Sequence, residues 1–254
     1  MSLELSVPTL LAILLAMVRA AAWLTVCPPF SSRLIPARVK ALLALALALP
    51  LSPALTGQVP SFTTGAILAS AAEQVVIGAA LGFITALFFA AVQAAGDLID
   101  LFGAFALATA FDPLSAVSSS VFGRFYNLMA VTLLFVTDGH QLVLRGFLQS
   151  YRTLPLDGAF STARLGHLLT VGIGEMFLSA LQIAGPLIAV LFLTDVALGL
   201  LNRVAPALNA FSLGLPAKIF LVLALAGTAI VVLPRAVDGL MEQATRAVVT
   251  VSGG

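Results

Sequence analysis

At 254 residues, 61% hydrophobic and only 9% charged, with a mean hydropathy of +1.13, the chain lies far from the roughly 25% charged content of soluble domains. That composition excludes a large soluble domain and leaves room for about six segments of the ~20 residues that cross a bilayer. Twelve Lys and Arg against eleven Asp and Glu give a net charge of +1, with neither a polybasic nor an acidic tail, and no basic stripe interleaved with aromatics points to nucleic acid.

The first residues carry Glu4 where a signal peptide has a positive region, and the apolar run continues past Arg19 to Val26, so a retained helix is expected over Val7–Val26. Arg19 at that depth costs about 2.5–3.5 kcal/mol on insertion scales. It therefore asks for a partner, or it snorkels to an interface beside Trp23. Pro28 and Pro29 stop the helix. The single cysteine, Cys27, makes no intrachain disulfide.

The loop from Ser31 to Lys40 holds Arg33, Arg38 and Lys40, the densest positive cluster in the chain. By the positive-inside rule it is cytoplasmic and the N-terminus lies outside. A second apolar segment from Ala41 to about Leu55 is interrupted by Pro50 and Pro53. Gly65 to Gly96 is a long apolar helix with Glu73 inside it. Gly78 and Gly82 form a small-xxx-small pair on which a neighbouring helix can pack closely, on roughly the side that carries Glu73.

From Gly96 to Arg124 the pattern changes. Asp97 and Asp100 are spaced i, i+3, Asp112-Pro113 marks a turn, and Ser118 to Ser120 favour a loop. A phenylalanine-bearing break in a membrane protein is tolerated where it is buried in protein or lines a cavity, which makes it a candidate constriction; an ordinary re-entrant turn is the alternative. Val121 to Thr137 is another helix, and Gln141 to Leu168, the most polar region, is expected as a solvated or headgroup-level helix and loop.

Leu168 to Asn202 carries Glu175, Pro186 and Asp195 and is too long for one straight crossing, so a kink at Pro186 is expected. A hinge from Val204 to Pro216 leads to the cleanest apolar run, Ala217 to Leu233. The last twenty residues read as an amphipathic helix end with Asp238, Glu242 and Arg246 at i, i+4 and i+8. The fold class is all-α.

No zinc helix, phosphate loop or nucleophile elbow is present, and the only two histidines, His140 and His167, are far apart. Asp97 and Asp100 lack an opposing polar group, so neither catalysis, a cofactor nor a metal site is expected.

Several ordered pieces carry a resemblance. They are Arg19 with Pro28-Pro29 beyond it, the loop through Pro36 to Lys40, EQVVIGAALGF from Glu73, AAGDLIDLFGAFALATAFDP from Ala94, and FVTDGH from Phe135. The last is D-x-x-L-G-L-L-N-R-x-x-P-x-L-N-x-F-S-x-G-x-P-x-K from Asp195 to Lys218. Together they resemble the FliR family of flagellar type III export-gate proteins, related to the T components of injectisomes, with one departure at Ala207, where a glutamine is expected.

The resemblance implies one export-gate domain over 1–254, with a FliP-like part at 1–167 and a FliQ-like helical hairpin at 168–254. Such hairpins pack with FliP and FliQ into a helical, cone-shaped assembly in the bacterial inner membrane, within the flagellar basal body, with FlhB and FlhA as further partners. Unfolded flagellar substrates pass through it. Many of these helices need not be spans, so the positive-inside count loses its premise.

Under this resemblance Arg19, Glu73, Glu175, Asp195 and Arg203 are buried charges that pair within or between subunits. Phe105, Phe111, Asp112, Pro113 and Leu114 fall in the plug that narrows the closed channel. Pro206, Asn209, Phe211, Gly214, Pro216 and Lys218 form the hairpin turn. A stand-alone secondary transporter with broken helices is the competing class.

Overall fold

The computed structural model describes residues 6–105, 120–157, 162–205 and 212–225. Among them the chain is helical, without a strand. The helices are α1 (Val7–Val26), α2 (Ala37–Ala48), α3 (Ser52–Leu55), α4 (Thr64–Phe102), α5 (Val121–Val136), α6 (Gly139–Thr153) and α7 (Thr162–Val204). The last is α8 (Ser212–Leu225). Four stretches within the described residues are long and apolar enough to cross a membrane: Val7–Val26, Ala37–Gln58, Thr64–Phe102 and Leu165–Val204.

Local chemistry sets the boundaries. Ser6 caps α1 by accepting from the Thr9 amide at 3.4 Å, and Pro8 sits in the first turn, where its missing N–H costs nothing. At the other end Cys27 is extended while its amide still donates to the Trp23 carbonyl. Pro50 and Pro53 interrupt the second segment as expected. Each opens a new short helical piece, a 3-10 turn at Leu49–Leu51 and then α3, so the chain stays wound through both.

One boundary is corrected. α4 runs past Gly96 to Phe102; Leu98, Ile99, Leu101 and Phe102 sustain the apolar pattern, and no proline interrupts before Pro113. α7 stays helical through Pro186, which has no N–H to give to the ladder.

The chain divides into two compact units, one within residues 6–88 and 138–173, the other within 89–137 and 174–225. The first unit buries Leu15, Trp23 and Leu24 of α1, Ala44 and Ala48 of α2, Ile77 and Leu81 of α4, and Phe147 and Tyr151 of α6. Trp23 stacks on Phe147 with centroids 4.4 Å apart. The polar stretch after Gln141, expected to be solvated, is thus half core: its charges lie on one face of α6, while Gly146, Phe147, Ser150 and Tyr151 are buried on the other. Cys27 is sealed in this unit, and burial pushes its thiol up to about 12, with Thr85 acting the other way, so it stays protonated and inert.

The second unit shows a four-residue stripe in α5, Phe122, Tyr126, Ala130 and Leu134, all buried. In α7 the buried face is Ala180, Ala184, Leu187 and Leu191, spaced as one side of a helix. Small residues permit the closest approach: Gly96 lies on the Phe122 backbone.

In the first unit Gly78 and Gly82 do the same against α1. A methyl group on Gly78 would collide with the Arg19 carbonyl and one on Gly82 would lie 3.0 Å from the Trp23 carbonyl. Gly78→Ala should force the helices apart and cost about 1–3 kcal/mol. Gly166→Ala, with nothing within 4 Å of the added group, should be neutral or gain up to about 1 kcal/mol. Thermal unfolding of the two variants in detergent checks the contrast; equal melting points would contradict the packing.

Candidate functional site

Arg19 is fully buried, about two turns before the end of α1. Its guanidinium reaches three places. Nε donates to Gln74 Oε1 of α4 at 2.6 Å, Nη1 to the Ser150 carbonyl of α6 at 3.0 Å and its hydroxyl at 3.4 Å, and Nη2 to the Leu154 carbonyl at 2.8 Å. The plane of the group lies over the Tyr151 ring, 4.4 Å from its centroid. Burial excludes snorkelling.

The partners are prepared in turn. The Tyr151 hydroxyl donates to the Ala16 carbonyl at 2.8 Å, which fixes the ring under the cation, and Gln74 Nε2 donates to the Leu156 carbonyl at 3.4 Å, which aims Oε1 at Arg19. Leu154 is free to accept because α6 ends at Thr153. No carboxylate takes part. Five directed contacts to neutral groups hold the charge.

Glu73 is half-buried and does not face this cluster; its neighbour Gln74 does. Gln74, Gly78 and Gly82 are spaced four apart, on one face of α4, and that spacing was the available signal. Tyr151 and Ser150 were missed because they sit between Arg145 and Arg152 in a stretch that reads as polar.

In the second unit, the connection from α4 to α5 is closed at its base. Asp100 is buried, and its Oδ2 accepts from the Ser120 hydroxyl and from the Phe122 amide at 3.0 Å; Ser120 Oγ in turn accepts from the Gly123 amide at 2.7 Å. A carboxylate and a hydroxyl thus cap the N-terminus of α5 together. Phe105 meets Phe122 edge-on at 5.3 Å, so the described residues on either side of 106–119 stand together. Ala104 has a φ of 69°, a left-handed conformation that costs a residue with a side chain about 1–2 kcal/mol. Asp97 is exposed, so the i, i+3 carboxylates do not act as a pair. Phe111, Asp112, Pro113 and Leu114 lie outside the described residues.

In the same unit α7 and α8 are joined by an ion pair, Lys218 Nζ to Asp195 Oδ1 at 2.5 Å, with Lys218 the more covered member. Half-exposed pairs contribute about 0–1 kcal/mol, so this one sets register more than stability. Gly214 allows the same approach, 3.0 Å from Leu198 to an added methyl. Glu175 and Arg203 are exposed, and Pro216 lies exposed on α8. Pro206, Asn209 and Phe211, with the last twenty residues, are outside the described part.

The arrangement gives the Arg19 cation a full set of acceptors and sets one oxygen of Asp100 at the start of α5, while large apolar side chains stay exposed. Those features define an all-helical, membrane-type protein whose buried polar groups order helices. The profile of the family described as bacterial export proteins, family 1, matches residues 10–244, and the chain belongs to that family. It is 35% identical over 201 residues to flagellar biosynthetic protein FliR of Escherichia coli (strain K12), covering 79% of this chain and 77% of that one. It is 33% identical over 187 residues to FliR of Bacillus subtilis (strain 168), covering 71% and 72%. Surface presentation of antigens protein SpaR of Shigella flexneri is 32% identical over 146 residues, covering 58% and 56%.

Arg19→Leu leaves the Ser150 and Leu154 carbonyls and Gln74 Oε1 without their donor and should cost about 3–5 kcal/mol. Gln74→Leu alone should cost about 1–3 kcal/mol. The double variant should fall short of the sum by about 0.5–3 kcal/mol, measured by unfolding in a double-mutant cycle. Strict additivity would show that the two groups do not interact.

Proposed function

We propose that the chain is a structural, channel-forming subunit of the flagellar type III export gate, passing unfolded flagellar substrates across the bacterial inner membrane. It performs no chemistry. In this reading it assembles with FliP and FliQ, and FlhB and FlhA stand at its cytoplasmic side. Residues 168–254 form a FliQ-like hairpin, and the loop from about Phe105 to Ser120 contributes a plug.

The observation that carries the proposal is the α7–α8 pair. Phe177, Leu181, Phe192, Leu193 and Leu200 of α7, with Leu213, Phe220 and Leu223 of α8, are exposed, while Asp195 and Lys218 fix the register of the two helices. A hairpin with that much uncovered apolar surface suits neighbouring hairpins of like kind. The flagellar relatives are matched over more of their length than the injectisome one, which favours the flagellar form.

Two outcomes are expected. Co-expressed with FliP and FliQ, the chain should elute in one complex, whereas alone it should not give a monodisperse particle; a stable monomer with solute-dependent melting would instead support the secondary transporter. Deleting residues 106–118 should leave that complex intact, because Asp100, Ser120 and Phe122 close the base of the segment, and should raise ion conductance through the closed gate. Conductance equal to that of the intact chain would remove the plug assignment.

A further inference from the structure

The connection between α1 and α2 lies in the longest run of the sequence that carries no acidic residue. From Leu5 to Ala72 the sequence holds no Asp or Glu, yet it holds Arg33, Arg38 and Lys40 within a few residues of one another. Arg33 and Arg38 are exposed and Lys40 is half-buried, and among the described residues none of the three has an ion-pair partner. The Arg19 charge is fully used inside the first unit and does not contribute outward.

Two details aggravate the local repulsion. Arg38 and Lys40 fall at the start of α2, the positive end of its dipole, with no acidic residue in the first turn and no side-chain cap. Among these cations stands Leu34, 91% exposed. An apolar side chain in that setting and unneutralised charges call for one environment that satisfies both. Water satisfies only the charges.

We propose that this connection, centred on Arg33, Leu34, Arg38 and Lys40, is a binding surface for anionic phospholipid, with headgroup phosphates between the cations and Leu34 in the acyl boundary. The flanking segments, Val7–Val26 and Ala37–Gln58, are long and apolar enough to cross a membrane, which brings the loop to headgroup depth. The surface is shaped rather than loose. Ser31 and Ser32 donate to the Cys27 and Pro29 carbonyls at 2.9 and 3.3 Å, Ile35 donates to Ser32 at 3.2 Å, and Phe30 packs against Trp23 at 5.6 Å. An acidic protein segment would match the charges but offers no reason for Leu34 to stand clear of them. The proposal rests on these two segments lying in the bilayer and not on a role in the export gate.

Trp23 is the only tryptophan and lies just before the loop, so it serves as a built-in donor. The full chain in mixed micelles is titrated with phosphatidylglycerol or phosphatidylcholine, each dansyl-labelled on an acyl chain, and energy transfer from Trp23 is read. Each cation near an anionic surface is worth about fivefold in affinity, so a preference for phosphatidylglycerol of about 10- to 100-fold is expected at low salt, falling as salt rises. Replacing all three cations (R33Q, R38Q, K40Q) should abolish that preference; Arg145→Gln, an exposed arginine of α6, should leave it unchanged.

Equal transfer from the two lipids would overturn the proposal. So would a preference that survives in the triple variant. Transfer from phosphatidylcholine, which should be the same in the triple variant and the intact chain, checks that the variant keeps its fold.

Discussion

The burial of one guanidinium constrains the first unit more than any apolar contact does. An arginine cannot shed its proton, and taking it out of water costs several kcal/mol before any partner is found. The chain meets that cost with lone pairs and a ring face, without a counter-charge. A planar fork has fixed directions, so Gln74, Ser150, Leu154 and Tyr151 must each arrive from a set side. Helices far apart in sequence are thereby held to one angular arrangement. Leu-on-Leu packing would tolerate rotation here. The guanidinium does not.

Glycine makes that arrangement reachable. Gly78 lets α4 approach until it touches the Arg19 carbonyl, and only at that distance does Gln74, one turn earlier on the same face, come within 2.6 Å of Nε. The short bond and the close crossing are one feature described from two sides. Phe147 stacks on Trp23 and meets Tyr151 edge-on at 5.4 Å, so the ring beneath the guanidinium continues into the aromatic core.

How much of this could be read beforehand differs by element. Long apolar runs fix helices almost unaided, so α1 is legible to the residue, and Arg19 is legible as a group needing partners. The partners are less so. Glu73 draws attention because it is charged, yet the neutral Gln74 holds the right phase to Gly78 and Gly82. Tyr151 hides because its helix is charged on the opposite face, and average polarity erases a two-sided pattern. Asp100 is similar: as half of a carboxylate spacing it looks like chemistry, whereas in three dimensions it caps α5, a role that depends on a helix starting at Val121, far along the chain. Contacts across such separations leave no local trace.

The two units use polarity in opposite ways, and this bears on what surrounds the chain. In the first, the buried cation is satisfied entirely by its own unit, so that unit can be ordered without help from outside. In the second, Asp195 and Lys218 join α7 to α8 at their exposed side while Phe177, Phe192, Leu193 and Phe220 face outward. Lipid alone would cover the apolar residues but would leave an ion pair facing hydrocarbon, an expensive arrangement. Water alone would solvate the pair and leave the phenylalanines exposed. A protein neighbour with alternating apolar and polar groups suits both demands, which is why the hairpin, more than the arginine cluster, carries the case for assembly.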